Sequence, residues 1–149
     1  MDEKVTRRST HRTQWAAQFA VASELCKKGY EVAFTVGNHP NVDLMATSPS
    51  GVSFGIDVKG LYRRNFWAVK AKPFKSGLFY ILAFVPDDAP NRFFILDQTQ
   101  VNAEIAAEIE RAIFRARSKG RTDTKAEVFP GLGWKFAEQY EDAWKTLPD

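Results

Sequence analysis

Apolar residues recur at helical spacing between Thr10 and Lys28, at Trp15, Phe19, Ala22, Leu25 and Cys26. Gly29 stands where a helix would end on a left-handed glycine. Tyr30 to Val36 alternates as a strand, and Gly37-Asn38-His39-Pro40 reads as the turn that follows it. Two further strands, Asn41 to Ser48 and Val52 to Gly60, flank Pro49-Ser50-Gly51. Leu61 to Lys75 has no clear period and reads as a loop with extended pieces. Leu78 to Val85 is an unbroken apolar run between Gly77 and Pro86, as in a buried strand, and Arg92 to Leu96 is a shorter one. Thr99 to Lys119 carries the clearest helical stripe, Val101, Ile105, Ile109, Ala112 and Ile113, with acids early and bases late to match the helix dipole. After a loop with Pro130 and two glycines, Trp134 to Leu147 is expected to close the chain as a helix. This order predicts an α/β fold: a mixed central sheet of about five strands flanked by helices, with C-terminal helices, in a single domain over residues 1–149. No internal repeat, low-complexity tract or linker interrupts it.

The hairpin about Pro49-Ser50-Gly51 brings two acids together. Proline fixes φ early in a type I turn and glycine takes the left-handed position after it, which gives a three-residue loop. That loop pairs Ser48 with Val52. Counting outward, Ala46 faces Phe54, Leu44 faces Ile56 and Val42 faces Val58, all on one apolar face. Asp43 then falls opposite Asp57 on the other face, with Lys59 two residues along. Directly opposed residues have Cβ atoms about 4.5–5.5 Å apart, where like charges repel. Two carboxylates so placed suit a hard divalent cation with oxygen ligands. A loop of the other parity would mix Leu44 and Ile56 with the acids. The plainer account is a surface charge cluster in which Lys59 neutralises both acids.

Composition changes this picture little, but charge distribution adds to it. With 44% hydrophobic and 26% charged residues and a net charge of +3, the chain resembles an ordinary soluble globular protein. Its bases are clustered, however. Lys59, Arg63, Arg64, Lys70, Lys72 and Lys75 share a stretch without an acid; Arg111, Arg115, Arg117, Lys119, Arg121 and Lys125 share another with only Asp123; Arg7, Arg8 and Arg12 lie near the start. Such clusters suit a polyanion, because each phosphate neutralised releases counterions. Tyr62, Phe66 and Trp67 interleave with the first cluster, either as stacking partners for bases or as core. The single cysteine, Cys26, excludes an internal disulfide and a multi-cysteine zinc site, and its place in the stripe suggests a buried apolar residue. His39 is expected to be an exposed turn residue. A polar, basic start without an apolar run, and a longest apolar run far short of the ~20 residues that span a bilayer, imply a cytoplasmic protein with no membrane partner.

Asp43 followed by Asp57-Val58-Lys59, on consecutive strands after a leading helix, resembles the PD-(D/E)XK nuclease superfamily. The likeness extends over the order of elements from about Thr10 to Leu96, and is nearest to small bacterial members with a Gly29-Tyr30-Glu31-Val32-like helix end and a later Phe-Phe-Ile-Leu strand. It implies a restriction-endonuclease-like fold and Mg²⁺-dependent hydrolysis of DNA phosphodiesters, of repair, junction or restriction type. Asp43 and Asp57 would bind Mg²⁺, or Mn²⁺ in its place, with the Val58 carbonyl as a further ligand. Lys59 would orient or help deprotonate the attacking water, or stabilise charge on the reacting phosphate. Arg63, Arg64, Lys70, Lys72 and Lys75 would hold double-stranded or branched DNA, and cutting both strands would call for a homodimer. The chain departs from the pattern twice. Val42, not proline, precedes the first acid, and Gln18 occupies the leading-helix position where many relatives carry a metal-binding glutamate. An alternative is therefore a catalytically weakened or inactive nuclease-fold module that binds DNA.

Overall fold

The computed structural model describes residues 7–35, 42–121 and 130–149. The Gly37–Pro40 turn with His39, and the Asp123 and Lys125 positions, lie outside these residues. The chain begins with α1, Thr10–Lys27, whose first turn is capped by the Ser9 hydroxyl accepting from the Arg12 N–H. It ends as expected at Gly29, with φ +92°. Gly29 N–H donates to the Cys26 carbonyl and Tyr30 N–H to the Leu25 carbonyl, the paired bonds of a Schellman ending.

Five strands form the main sheet: β1 (Glu31–Phe34), β2 (Leu44–Thr47), β3 (Ser53–Leu61), β5 (Leu78–Phe84) and β6 (Arg92–Asp97), in the order β1-β2-β3-β5-β6. β3 and β5 are parallel, and the other neighbours antiparallel. A two-stranded ribbon pairs β4 (Trp67–Ala68) with β7 (Gly131–Leu132). α2 (Gln98–Ser118) starts in a capping box between Asp97 and Gln100. α1 covers one face of the sheet over Leu44, Ala46, Phe54, Ile56, Val58 and Ile81. α2 and the ribbon cover the other, over Tyr80, Leu82, Phe94 and Leu96. The result is the mixed α/β architecture with a five-stranded sheet that the hydrophobic pattern implies. Among the described residues, no helix is long and apolar enough to cross a membrane.

Four expectations give way. The buried residues of α1 are Thr13, Ala17, Val21, Ala22 and Leu25, while Trp15 and Phe19 are exposed and cluster with Phe34. Cys26 is exposed too. The reason is close approach: a Cβ on Gly60 of β3 would stand 2.7 Å from the Ala17 Cβ, so the face of α1 against the sheet has to be small. The closing helix is broken into α3 (Trp134–Ala137) and two short 3₁₀ turns, Glu138–Tyr140 and Trp144–Thr146. Asp142 has φ +53° between those turns, and its N–H donates to the Phe93 carbonyl, so the segment is tied to the edge of β6. Finally, Arg111 and Arg115 pair with Glu104 and Glu108 on earlier turns of α2, so part of the second basic cluster is neutralised within its own helix.

Candidate active site

The hairpin forms with the expected register over most of its length. Leu44 pairs with Ile56, Ala46 with Phe54, and Ser48 N–H donates to the Val52 carbonyl, with Gly51 at φ +94°. Beyond Leu44 the register changes. Asp43 N–H donates to the Ile56 carbonyl, so Asp43 and Leu44 together face one residue of β3, as in a β-bulge. The Val42–Val58 pair therefore does not form. Val42 is buried on the α2 side, among the residues around Tyr80, and its carbonyl accepts from the Thr35 hydroxyl. Instead of standing directly opposite Asp57, Asp43 turns its carboxylate toward the edge of β3.

That edge is short of partners because β3 continues to Leu61 after β2 has begun to leave it. Side chains complete it. Asp43 Oδ2 accepts from the Val58 N–H at 2.8 Å. Gln14, on α1, donates to the Val58 carbonyl at 2.7 Å and accepts from the Gly60 N–H at 3.3 Å. One helical turn later, Gln18 Nε2 lies 3.4 Å from Asp43 Oδ1, a long contact that leaves this oxygen weakly held. Burial pushes the Asp43 carboxyl above its ordinary range and the Asp57 charge adds to this, while the Val58 N–H, Lys59 and Lys72 pull it back.

Asp57 projects from the middle of β3 and is 1% exposed. Lys72 Nζ donates to Oδ2 at 2.8 Å, and Lys59 Nζ stands 3.1 Å from Oδ1. The second contact has the distance of an ion pair but not the alignment of a hydrogen bond, so buried Oδ1 has no hydrogen-bond partner among the described residues. Tyr80, the neighbour of Asp57 on β5, has a buried hydroxyl without a hydrogen-bond partner among the described residues, and burial and the Asp57 charge push its pKa up to about 12.

Lys72 is the member of the site whose role sequence reasoning missed; it stood only among the DNA-binding bases. Its backbone is held from α2. Gln98 donates to the Lys72 and Pro73 carbonyls at 3.3 and 2.9 Å and accepts from the Lys75 N–H at 2.8 Å, and Asn102 donates to the Lys72 carbonyl at 2.9 Å. Gln98 is 1% exposed, a buried amide spent on a loop. Its polarity just before the apolar stripe of α2 was the available signal. Of the remaining bases, Lys70 and Lys75 are exposed. Arg63 lies over the Tyr62 ring, and Arg64 stacks 4.0 Å from the Trp134 ring centre and pairs with Glu138. Trp67 is core, 1% exposed.

The site thus gathers two carboxylates, two ammonium groups, the Val58 carbonyl and the Gln18 amide where β2 and β3 part. No group of three or more His, Cys, Asp or Glu side chains converges among the described residues, so the acids number two here. No protein-family model matches the chain, and no curated protein matches it. Among solved structures it is similar to a bacterial homing endonuclease, at 18% identity and a TM-score of 0.48, over 62% of this chain and 68% of that one.

Proposed function

We propose that this protein is a Mg²⁺-dependent endonuclease that hydrolyses DNA phosphodiester bonds, with Mn²⁺ able to replace Mg²⁺. The observation that carries this reading is buried Asp57, whose Oδ1 has the Lys59 ion pair but no hydrogen bond among the described residues, near the bulged Asp43. A buried carboxylate oxygen without a hydrogen bond is costly unless something fills its place. The donors nearest to hand are oxygens, those of Asp43 and Asp57 and the Val58 carbonyl, which also accepts from Gln14; Gln18 would add its amide oxygen only by turning over from its Nε2 contact with Asp43. A set with two carboxylates suits Mg²⁺, which keeps several waters and takes few protein ligands. The ion would acidify a bound water and act as a Lewis acid toward the phosphate.

The chain's own residues would do the rest. Asp43, with one oxygen held by the Val58 N–H, presents the other. Lys59, held at 3.1 Å from Asp57, would bring its ammonium group to the phosphate as negative charge develops there. Comparable donors to a transition state are worth about 3–4 kcal/mol. Lys72, Lys70, Lys75, Arg63 and Arg64 supply the basic surface for double-stranded or branched DNA. The fold implied is that of the PD-(D/E)XK nucleases, acting in the cytoplasm, and cutting both strands would need a homodimer.

Purified protein with Mg²⁺ is expected to nick plasmid DNA, and Asp57→Asn and Lys59→Ala to abolish nicking while remaining folded. Wild-type cutting by both variants would remove these residues from the mechanism. One observation favours a second reading, a DNA-binding module with little or no activity: the amide of Gln18 lies beside Asp43 where a third carboxylate would strengthen cation binding. Calorimetric titration with Mg²⁺ separates the two, since that module would show no saturable binding.

A further inference from the structure

Phe74 is a large apolar residue that the fold leaves in solvent. It is 71% exposed, matched among the described residues only by Phe114 at 72%. The surroundings of the two rings differ. Phe114 lies on α2 beside Arg111 and Arg115, whose charges pair with Glu104 and Glu108. The other exposed aromatic cluster, Trp15, Phe19 and Phe34, packs upon itself. Phe74 has no ring contact among the described residues. It stands between Lys70, Lys72 and Lys75, in a stretch without an acid from Val58 to Pro86.

The backbone that carries this ring is pinned by a buried side chain. Gln98 is 1% exposed and bonds on both sides of Phe74: its amide donates to the Pro73 carbonyl at 2.9 Å, and its carbonyl accepts from the Lys75 N–H at 2.8 Å. Asn102 donates to the Lys72 carbonyl at 2.9 Å, and the Lys75 carbonyl accepts from the Leu78 N–H at the start of β5. Pro73 fixes its own φ directly before the ring. A phenylalanine so exposed adds little apolar burial to the fold, so stability gives no reason for the clamp to present that side chain. Binding does: a ring on an ordered backbone meets a ligand without the entropy loss of ordering a loop.

The same loop reaches the candidate active site. Lys72 sets its ammonium group on Asp57, and Phe74 follows two residues later, a span of at most about 7 Å between Cα atoms. A ligand that meets this loop beside Asp57 has to offer negative charge to Lys70 and Lys75, which make no ion pair among the described residues, and an apolar face to Phe74. Nucleic acid offers both, as phosphates and as the flat faces of bases where stacking is interrupted. Bases within an intact duplex are already stacked, and opening a step costs energy that a bulge, mismatch or branch has already lost. We propose that Phe74 is a base-stacking wedge beside the cleavage site, so that the protein favours DNA with an unstacked base over intact duplex. The proposal rests on the nuclease reading of Asp43, Asp57 and Lys59 and narrows its substrate to locally unstacked DNA.

The test is fluorescence anisotropy without metal, in EDTA, with a short duplex and the same duplex carrying one unpaired adenine at its centre. The wild type should bind the bulged duplex about tenfold more tightly. Phe74→Ala should melt within about 1–2 °C of the wild type, as an exposed position allows, and lose most of that preference, while Phe74→Trp should keep it. Phe74→Ala should also keep the wild-type salt dependence, whereas Lys75→Ala lowers the slope by about one. Equal wild-type affinity for the two DNAs overturns the wedge, as does a preference that survives Phe74→Ala. A fall in slope for Phe74→Ala like that of Lys75→Ala also overturns it, because the ring would then act only through its lysines. So does a change in oligomeric state on sedimentation with DNA affinity unchanged, which would assign the ring to a protein contact. Each of these results leaves the nuclease reading standing, since that reading fails separately if the wild type does not nick plasmid DNA with Mg²⁺.

Discussion

Replacing Lys72 with methionine isolates what the second ammonium group does beside Asp57. Methionine preserves the unbranched stem, and the loop stays anchored because Gln98 and Asn102 hold its backbone rather than the side chain. What disappears is a charge-assisted hydrogen bond of 2.8 Å to a carboxylate that is 1% exposed. Such bonds contribute about 1.5–3 kcal/mol, and the Lys72 side chain is 22% exposed, which places it toward the lower end, near 2 kcal/mol. For a domain of this size each kcal/mol moves the melting temperature by roughly 2–4 °C, so the variant should melt about 4–8 °C lower without metal. Metal binding should change in the opposite direction. A Mg²⁺ ion about 2.1 Å from an Asp57 oxygen would stand roughly 4 Å from the ammonium group. Repulsion between charges of two and one at that distance is about 2 kcal/mol even at the dielectric constant of water. Lys72→Met should therefore bind Mg²⁺ at least about tenfold more tightly. Circular-dichroism melts in EDTA and calorimetric Mg²⁺ titration read the two effects. A variant with unchanged melting temperature and unchanged Mg²⁺ affinity would show that Lys72 does not engage Asp57, and weaker Mg²⁺ binding would reverse its role.

Two further substitutions test neighbouring groups. Gln18→Glu places a third carboxylate where Nε2 now lies 3.4 Å from Asp43, and should tighten Mg²⁺ binding about tenfold by calorimetry; unchanged affinity would put residue 18 away from the ion. Tyr80→Phe removes a buried hydroxyl without a hydrogen-bond partner among the described residues and should be as stable as the wild type, or more so, near pH 7. Because the folded pKa of Tyr80 is raised from 10.0 to about 12, its contribution to stability is complete below pH 10 and is lost as pH rises toward 12. The advantage of the variant in urea melts should grow by up to about 3 kcal/mol across that interval, and a constant gap would refute the assignment.

Much of this site is legible in the sequence, and the failures have physical causes. Pro49-Ser50-Gly51 sets the loop, so the pairs Leu44–Ile56 and Ala46–Phe54 follow from counting. Counting fails at Val42 and Asp43 because alternation carries no mark of a bulge, and one extra residue sends Val42 to the opposite face. On α1, periodicity identifies a helix but not the face it buries. Trp15 and Phe19 are the bulkiest apolar residues, yet close contact at Gly60 selects Thr13, Ala17 and Val21 instead. Lys72 is legible only as a charge, since the groups that aim it, Gln98 and Asn102, lie on a helix about thirty residues later. The last helix fails for a similar reason: contact of Asp142 with β6 overrides its local spacing.

The location of the two acids follows from a requirement of the sheet itself. β3 must run on to Leu61 because β5 pairs with it through Phe84, whereas β2 pairs with it only from Leu44 onward. The N–H and carbonyl groups of β3 facing β2 at Val58, and the N–H at Gly60, would otherwise be buried without partners, at a cost of about 1–3 kcal/mol each. Asp43 and Gln14 supply those partners. Backbone bonding thus fixes one oxygen of Asp43 and leaves the other only weakly engaged, which is what a ligand for a cation requires. The same parting of strands that would weaken a purely structural sheet here orients a carboxylate beside Asp57, so Asp43→Ala should disturb the end of β3 as well as any bound metal.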